Sequence, residues 1–443
     1  MQTLTQLHAG QLKGATKIKI SCGLCDFPEE LFSLAETLEI LDLSGNNLTS
    51  LPNDFHRFHH LKILFLSDNK FTIFPEVLGK CKQLDIIGFK ANQIEVFSES
   101  SLPANTRWLI LTNNRLKELP ESIGKCTRMQ KLMLAGNQLQ KLPIELKECK
   151  NLGLIRISAN KITHLPEWLL QMPKLSWIAF AGNPFCIDDC KTGIVLDTID
   201  WNDLTLVEKL GEGASGIIWK ALWKKEVNNH KSIAVKIFKG TVTSDGMPDD
   251  ELNACMLAGD HPNLVRVLGK LYNHPEKKEG LLMSLIPSHY TNLGNTPSFE
   301  SCTRDLYDDG VSFSLKDILA IADGIASVAA HLHEKGVMHG DLYAHNTLIG
   351  TDAHPLFGDF GAASIYNRKD AKAYLLERIE VSAFGCLLED LLNHTKEANR
   401  QNTVDPLWQL KEECMQETVA NRPSFREISE HLSTLRLILP LTN

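Results

Sequence analysis

The chain has 443 residues, enough for roughly two to four domains that each bury a core. A formal net charge of -8 argues against a general nucleic-acid binder, which carries a basic face. No apolar run approaches the roughly 18 residues of a membrane span, and the opening "MQTLTQLHAGQLKGATKIKIS" lacks the apolar core of a signal peptide, so the expectation is a cytoplasmic protein with no membrane span and no nucleic-acid partner.

The first half is self-similar. "LEILDLSGNNLTSLP", "LKILFLSDNKFTIFP", "MQKLMLAGNQLQKLP" and "LGLIRISANKITHLP" share the frame L-x-x-L-x-L-x-x-N-x-L-x-x-L-P. Its Asn recurs at 46, 69, 92, 114, 137, 160 and 183, with one single-residue slip in an otherwise constant 23-residue period. Leucines at positions such as Leu41, Leu43 and Leu48 can point into one stacked core, and the Asn can satisfy backbone groups at the turn that would otherwise be buried unpaired. Such units bury their apolar faces only by stacking. The pattern resembles leucine-rich repeats of the intracellular, Ras-suppressor-like class, which implies an α/β solenoid over residues 1–190 with a cap at "IKISCGLCDFP" and about seven repeats. The third repeat departs: Ser98 replaces the Pro after Phe97, and "SESSLPANT" is expected to rearrange the convex side.

Positions between the core leucines point to the concave face. Ile63, Phe65, Ile86, Trp108, Ile110, Lys131, Met133, Leu154, Arg156 and Trp177 fall there, and many are large and apolar. The residues are individually incidental, or covered by the chain's own second half, or a docking surface. A contiguous apolar patch marks a binding site, so Phe65, Trp108, Ile110, Met133, Arg156 and Trp177 are taken as the candidate protein-binding set. Of the eleven cysteines, Cys81, Cys126 and Cys149 follow the repeat and read as small buried residues. Cys186 and Cys190 form C-x3-C, for which a cap disulfide or metal pair has no supporting cluster nearby.

Past a linker at 191–200, the period changes. "LVEKLGEGASGIIWKALW" reads as strand, tight loop, strand, and "SIAVKIFKG" as a strand with Lys236 at its centre. Ile218 and Lys220 follow the glycines in a strand rather than a helix, which disfavours a dinucleotide fold. "HPNLVRVLG", "MHGDLYAHNTLIG", "LFGDFGAAS" and "NRPSFREI" follow in that order.

This series resembles the protein-kinase fold, implying an α+β bilobal domain over 201–443, with the smaller lobe at about 201–285 and the larger at about 286–440. The resemblance implies ATP and Mg2+ as cofactors. Gly211, Gly213 and Gly216 would close over the phosphates, and Lys236 would neutralise two of them. Ile218, Ala234 and Met283 would also contact the nucleotide, and Glu251 is the best candidate to pair with Lys236. Asp341 would accept the substrate hydroxyl's proton, while Asn346 and Asp359 would hold the metal through oxygen ligands. His339 reads as a packed structural residue.

Three departures from that family stand out. Gly340 occupies the place of an Arg that reads a phosphorylated activation segment. The segment from Asp359 to Glu380, taken as the start of a long helix at "IEVSAFG", is short and lacks Ala-Pro-Glu. Tyr343, Ala344 and His345 replace residues that steady phosphate or substrate, and Arg422 loses its usual Glu, with Glu377 or Glu380 as stand-ins. These point to activity without activation-segment phosphorylation, although Ser364, Tyr366 and Tyr374 are modifiable in principle. The polar stretch "PSHYTNLGNTPSFESCTRDLYDDG" reads as a disordered insertion or a substrate lid. The favoured activity is a protein kinase, Ser/Thr before Tyr, recruiting substrate or regulator on the repeats. A small-molecule phosphotransferase of the aminoglycoside or choline-kinase type and a silent scaffold are the alternatives.

Overall fold

The computed structural model describes residues 2–186, 197–213, 215–226, 229–240, 243, 245–396 and 401–438. Cys190 and the linker residues Ile194, Val195 and Leu196 lie outside the described residues. Two compact units emerge: Met1–Lys174 with Asn183–Phe185, and Leu175–Gly182 with Cys186–Asn443. Strands and helices are numbered along the chain.

The first unit opens with α1 (Leu4–His8), capped by Thr3. Then come β1 (Lys17–Lys19), β2 (Ile40–Asp42), β3 (Ile63–Phe65), β4 (Ile86–Gly88), β5 (Trp108–Ile110), β6 (Lys131–Met133) and β7 (Leu154–Arg156). Each pairs in parallel with the next and in strict register, so Ile18, Leu41, Leu64, Ile87, Leu109, Leu132 and Ile155 form one file. All seven are inaccessible to water. Prolines at 75, 120 and 143 open a 3-10 turn on the convex side, and Pro166 opens α2 (Glu167–Leu170). The β4–β5 connection has no such helical turn; instead the Glu99 carboxylate accepts from the amides of Glu121 (2.8 Å) and Ser122 (2.7 Å).

The repeated Asn is a two-way bridge. Asn69 Oδ1 accepts from Leu48 N at 2.9 Å, while its Nδ2 donates to Leu43 O and Leu66 O. Asn92, Asn114, Asn137 and Asn160 repeat the pattern. The residue before each Asn (Gly45, Asp68, Ala91, Asn113, Gly136, Ala159, Gly182) has φ between 52° and 73°. That left-handed turn aims the Asn inward. The three repeat cysteines are buried free thiols, pushed up to about 12 by burial.

The second unit contains β8 (Trp177–Ala179), β9 (Thr198–Asp200), β10 (Leu204–Glu212), β11 (Gly216–Glu226) and β12 (Asn229–Phe238), then α3 (Pro248–Ala258), β13 (Val267–Tyr272) and β14 (Gly280–Ser284). The order β10-β11-β12-β14-β13-β9 makes one six-stranded sheet. The end of the expected linker is thus an edge strand, parallel to β13. Alternate residues Ile233, Val235 and Ile237 of β12 bury one face against Leu271 and Leu282, with Trp201, Trp219 and Trp223 packed around them.

The larger lobe comprises β15 (Thr291–Asn292), α4 (Leu315–Glu334), β16 (Val337–Met338), β17 (Thr347–Ile349), β18 (Pro355–Phe357), β19 (Ser364–Ile365), α5 (Ala373–Asn393), α6 (Gln401–Cys414) and α7 (Phe425–Ile438). Helix α5 begins seven residues before Glu380, so the expected helix start is corrected: Glu380 lies deep inside the helix. The stretch 287–310 is not a disordered insertion. Its Thr291 and Asn292 pair with β17, Asn295 bridges to Leu306, and Arg304 bonds Glu389 and Asp390 on α5. Among the described residues no helix is long and apolar enough to cross a membrane.

Removing one bridge leaves the Leu116 amide without its acceptor and takes one of two Asn donors from each of Leu111 O and Leu134 O, so Asn137→Ala should cost about 1–3 kcal/mol. Ala159→Gly, relieving a left-handed alanine, should gain about 0.5–1 kcal/mol. Urea unfolding of the full chain checks both signs; two losses would refute the left-handed account.

Candidate active site

The two lobes of the second unit enclose a cleft of about 780 Å³, within the usual range for a small-molecule site. Gly211, Gly213, Gly216, Ile218 and Ala234 line it, as do Lys236, Glu251, Met283, Asn346 and Asp359. The glycines differ in kind. A Cβ at Gly211 or Gly213 would meet nothing within 4 Å, whereas one at Gly216 would strike Ile237 O at 2.7 Å. Gly216 is required by packing on β12; the other two leave backbone bare toward the cleft.

Lys236 projects from β12 and is 5% exposed. Its Nζ sits 2.6 Å from Glu251 Oε1 on α3 and 3.1 Å from Asp359 Oδ1. Burial alone would lower its pKa, but Asp359 and Glu251 overcome that and hold the ammonium above its ordinary range. The Lys236 charge, against the crowding around it, keeps the Asp359 carboxyl below the usual carboxylate range. Asp359 is itself left-handed (φ 57°) and more than half exposed to the cleft. A strained backbone that presents a charged side chain is a mark of a working position.

The loop His339–Asn346 forms the floor. Asn346 Nδ2 donates to Asp341 O (3.1 Å) and Asp341 Oδ2 (2.7 Å), locking the Asp341 carboxylate. His339 is fully buried, stacked on Phe357 at 3.9 Å and bonded through Nε2 to Gly358 O, and burial lowers its pKa. Glu380 reaches from α5 to accept from His339 N (3.2 Å), Gly340 N (2.5 Å) and His333 Nε2 (2.9 Å).

A model described as protein tyrosine and serine/threonine kinase matches residues 204–382, and one described as leucine rich repeat matches 36–94. The chain joins leucine-rich repeats to a protein-kinase domain. It is 25% identical over 287 residues to fibroblast growth factor receptor 1 of Pleurodeles waltl and of Xenopus laevis, covering 52% of this chain and 34% of those proteins. Myoblast growth factor receptor egl-15 of Caenorhabditis elegans matches at 25% over 307 residues, 55% of this chain and 29% of that protein. The chain therefore spans about a third of the length of the curated relatives it matches.

Several expectations for the kinase domain and the repeats need correction. Glu377 accepts from Phe425 N and Glu380 is spent on the His339 and Gly340 amides, while Arg422 donates to the carbonyls of Gln416 and Arg378. The concave stripe is not an open apolar surface. Met133, Arg156 and Trp177 are buried, with only Phe65, Trp108 and Ile110 of the candidate set half-buried, and a side chain out of reach of solvent cannot make first contact with a partner. Trp177 is committed to the kinase domain itself, its ring stacked on Tyr343 at 4.4 Å. Asp305 was not foreseen. Its carboxylate takes Ala344 N at 2.6 Å and His345 Nδ1 at 2.6 Å, so the supposed insertion braces the His339–Asn346 loop. No motif or period marks Asp305 in the sequence. Cys186 Sγ donates to Phe180 O.

Gly216→Ala should destabilise the chain by about 1–3 kcal/mol, whereas Gly211→Ala and Gly213→Ala should leave the melting temperature unchanged and weaken nucleotide binding. Thermal unfolding alongside a fluorescent-nucleotide titration separates the two kinds of glycine.

Proposed function

We propose that this chain is an ATP- and Mg2+-dependent protein kinase acting on serine or threonine, active without phosphate on its activation segment. The observation that carries the reading is the buried Lys236 joined to both Glu251 and Asp359 in one cleft with Asn346, above the locked Asp341. The residues fit the cofactors: two glycines leave bare backbone for phosphates, and Asn346 and Asp359 offer the oxygen donors a hard cation takes. When bound, magnesium ATP supplies the electrophilic γ-phosphoryl group.

The chain's own residues do the rest. Lys236 offers a fixed cation to the phosphates, with Glu251 setting its direction. Asp341, oriented by Asn346, accepts the proton of the attacking hydroxyl. Catalysis of this kind is chiefly positioning and charge stabilisation. Independence from phosphorylation is supported at Gly340, whose φ is +75° and where a Cβ would meet Ala362 O at 2.7 Å. An Arg cannot occupy that place, and Glu380 holds the loop backbone without any phosphate. The repeats supply the surface for a protein substrate or regulator, with Phe65, Trp108 and Ile110 as the contacts still open to solvent.

Transfer of labelled γ-phosphate to proteins of an extract should fall by about 10²–10⁴-fold in Asp341→Ala and Asp359→Ala. Chelating the metal should abolish it, and phosphatase treatment should leave it unchanged. Label on phosphotyrosine alone would overturn the acceptor assignment; label only on a soluble amine or alcohol would overturn the protein-kinase reading.

A further inference from the structure

The stretch Leu175–Gly182, which includes β8, belongs to the same compact unit as the cleft although it precedes the kinase motifs in sequence. It touches that unit in four places. Trp177 Nε1 donates to Leu342 O at 3.0 Å, and its ring lies 4° from parallel with Tyr343. Ser176 Oγ donates to Ser382 Oγ on α5 at 2.9 Å. The amides of Phe180 and Ala181 both donate to Ser364 Oγ, at 2.9 and 3.1 Å. Finally, a Cβ at Gly340 would lie 2.6 Å from Ile178 O, so the strand passes where any other residue would stand.

Three of these contacts fall on the departures noted above. Gly340 gives room for Ile178, Tyr343 gives Trp177 a ring to stack on, and the activation segment's Ser364 takes two strand amides. The line from Trp177 to the reacting groups is short. Tyr343 O accepts from Asn346 N (3.2 Å) and Thr347 Oγ1 (2.9 Å), and Asn346 in turn holds Asp341. Trp177 does not line the nucleotide cleft.

We propose that Trp177 is a positioning residue for phosphoryl transfer, and that Leu175–Gly182 is a built-in brace for the catalytic loop and activation segment. The brace takes the place of a phosphate-dependent clamp. This rests on the protein-kinase reading for its kinetic consequence, but its structural content stands apart from turnover. A stacked indole with a buried hydrogen bond removes the loop's freedom, and small misplacements of a catalytic group are expensive in rate.

The test uses the full chain with Trp177→Ala, Trp177→Phe and the double variant Trp177→Ala/Tyr343→Ala. Trp177→Ala should lower kcat by about 10–100-fold while KM for ATP stays within about 3-fold, and Trp177→Phe, which keeps a stacking ring, should recover most of kcat. The double variant should fall no further than Trp177→Ala, because the pair acts as one. Amide hydrogen exchange should quicken at 342–346 and 364–365 in Trp177→Ala, with α4 unchanged. An unaltered or raised kcat would overturn the proposal, a raised value making the strand a brake. Exchange that is unchanged, or faster evenly across α4, would overturn it too. A wild-type chain without any transfer would sink the kinase reading, and the exchange comparison would then decide the brace alone.

Discussion

A carboxylate shut away from water is stable only where donors replace its hydration, and Glu380 is 1% exposed. Three donors from two segments converge on it: His333 Nε2 from α4 and the amides of His339 and Gly340. The rest of the site hangs from this arrangement. His339 sits where it does because its amide is held, and its ring is then stacked on Phe357 and tied to the residue before Asp359. Asp341 and Asn346 follow from the same fixed backbone. Glu380 stays ionised despite the burial that opposes it, because His333, His339 and the Gly340 amide favour the charged form.

Above that floor the cleft holds an imbalance of charge. One ammonium, Lys236, faces two carboxylates, Glu251 and Asp359, with Asp341 a short way along the loop. Such a set is short of positive charge, and a divalent cation is the natural complement. The braces are drawn from distant parts of the chain. Asp305 comes from the stretch before α4, Glu380 from within α5 and Trp177 from before the whole domain, yet all three end on the nine residues between Met338 and Asn346.

This distribution explains what could be read from the sequence. The repeats were legible because Asn46 and its successors recur at a fixed period, and the same bonds recur with them. Lys236, Asp341, Asn346 and Asp359 were legible as candidates because the short motifs that carry them resemble those of protein kinases. Asp305 was not, since an aspartate amid polar turn residues has no local signature, and its partners lie 39 and 40 residues away. Trp177 was read by its place in the repeat, which points it at a concave face. Its hydrogen-bond partner Leu342 is 165 residues further on, and only the folded chain stacks the indole on Tyr343. The start of α5 was misplaced for a related reason: Ala373 has no side-chain cap before it.

The left-handed residue before each Asn sets a different kind of limit. Its side chain contributes little to the core, so hydrophobicity does not select it; the backbone angle does. The seven occupants are three glycines, two alanines, one Asp and one Asn, all small or able to bond their own backbone. In a scan of all substitutions, this column should accept changes of polarity and reject β-branched side chains. The neighbouring file from Ile18 to Ile155 should show the reverse, keeping valine and isoleucine while refusing every polar residue. Two adjacent tracks along one solenoid would thus carry opposite rules of replacement, one written in torsion and the other in volume.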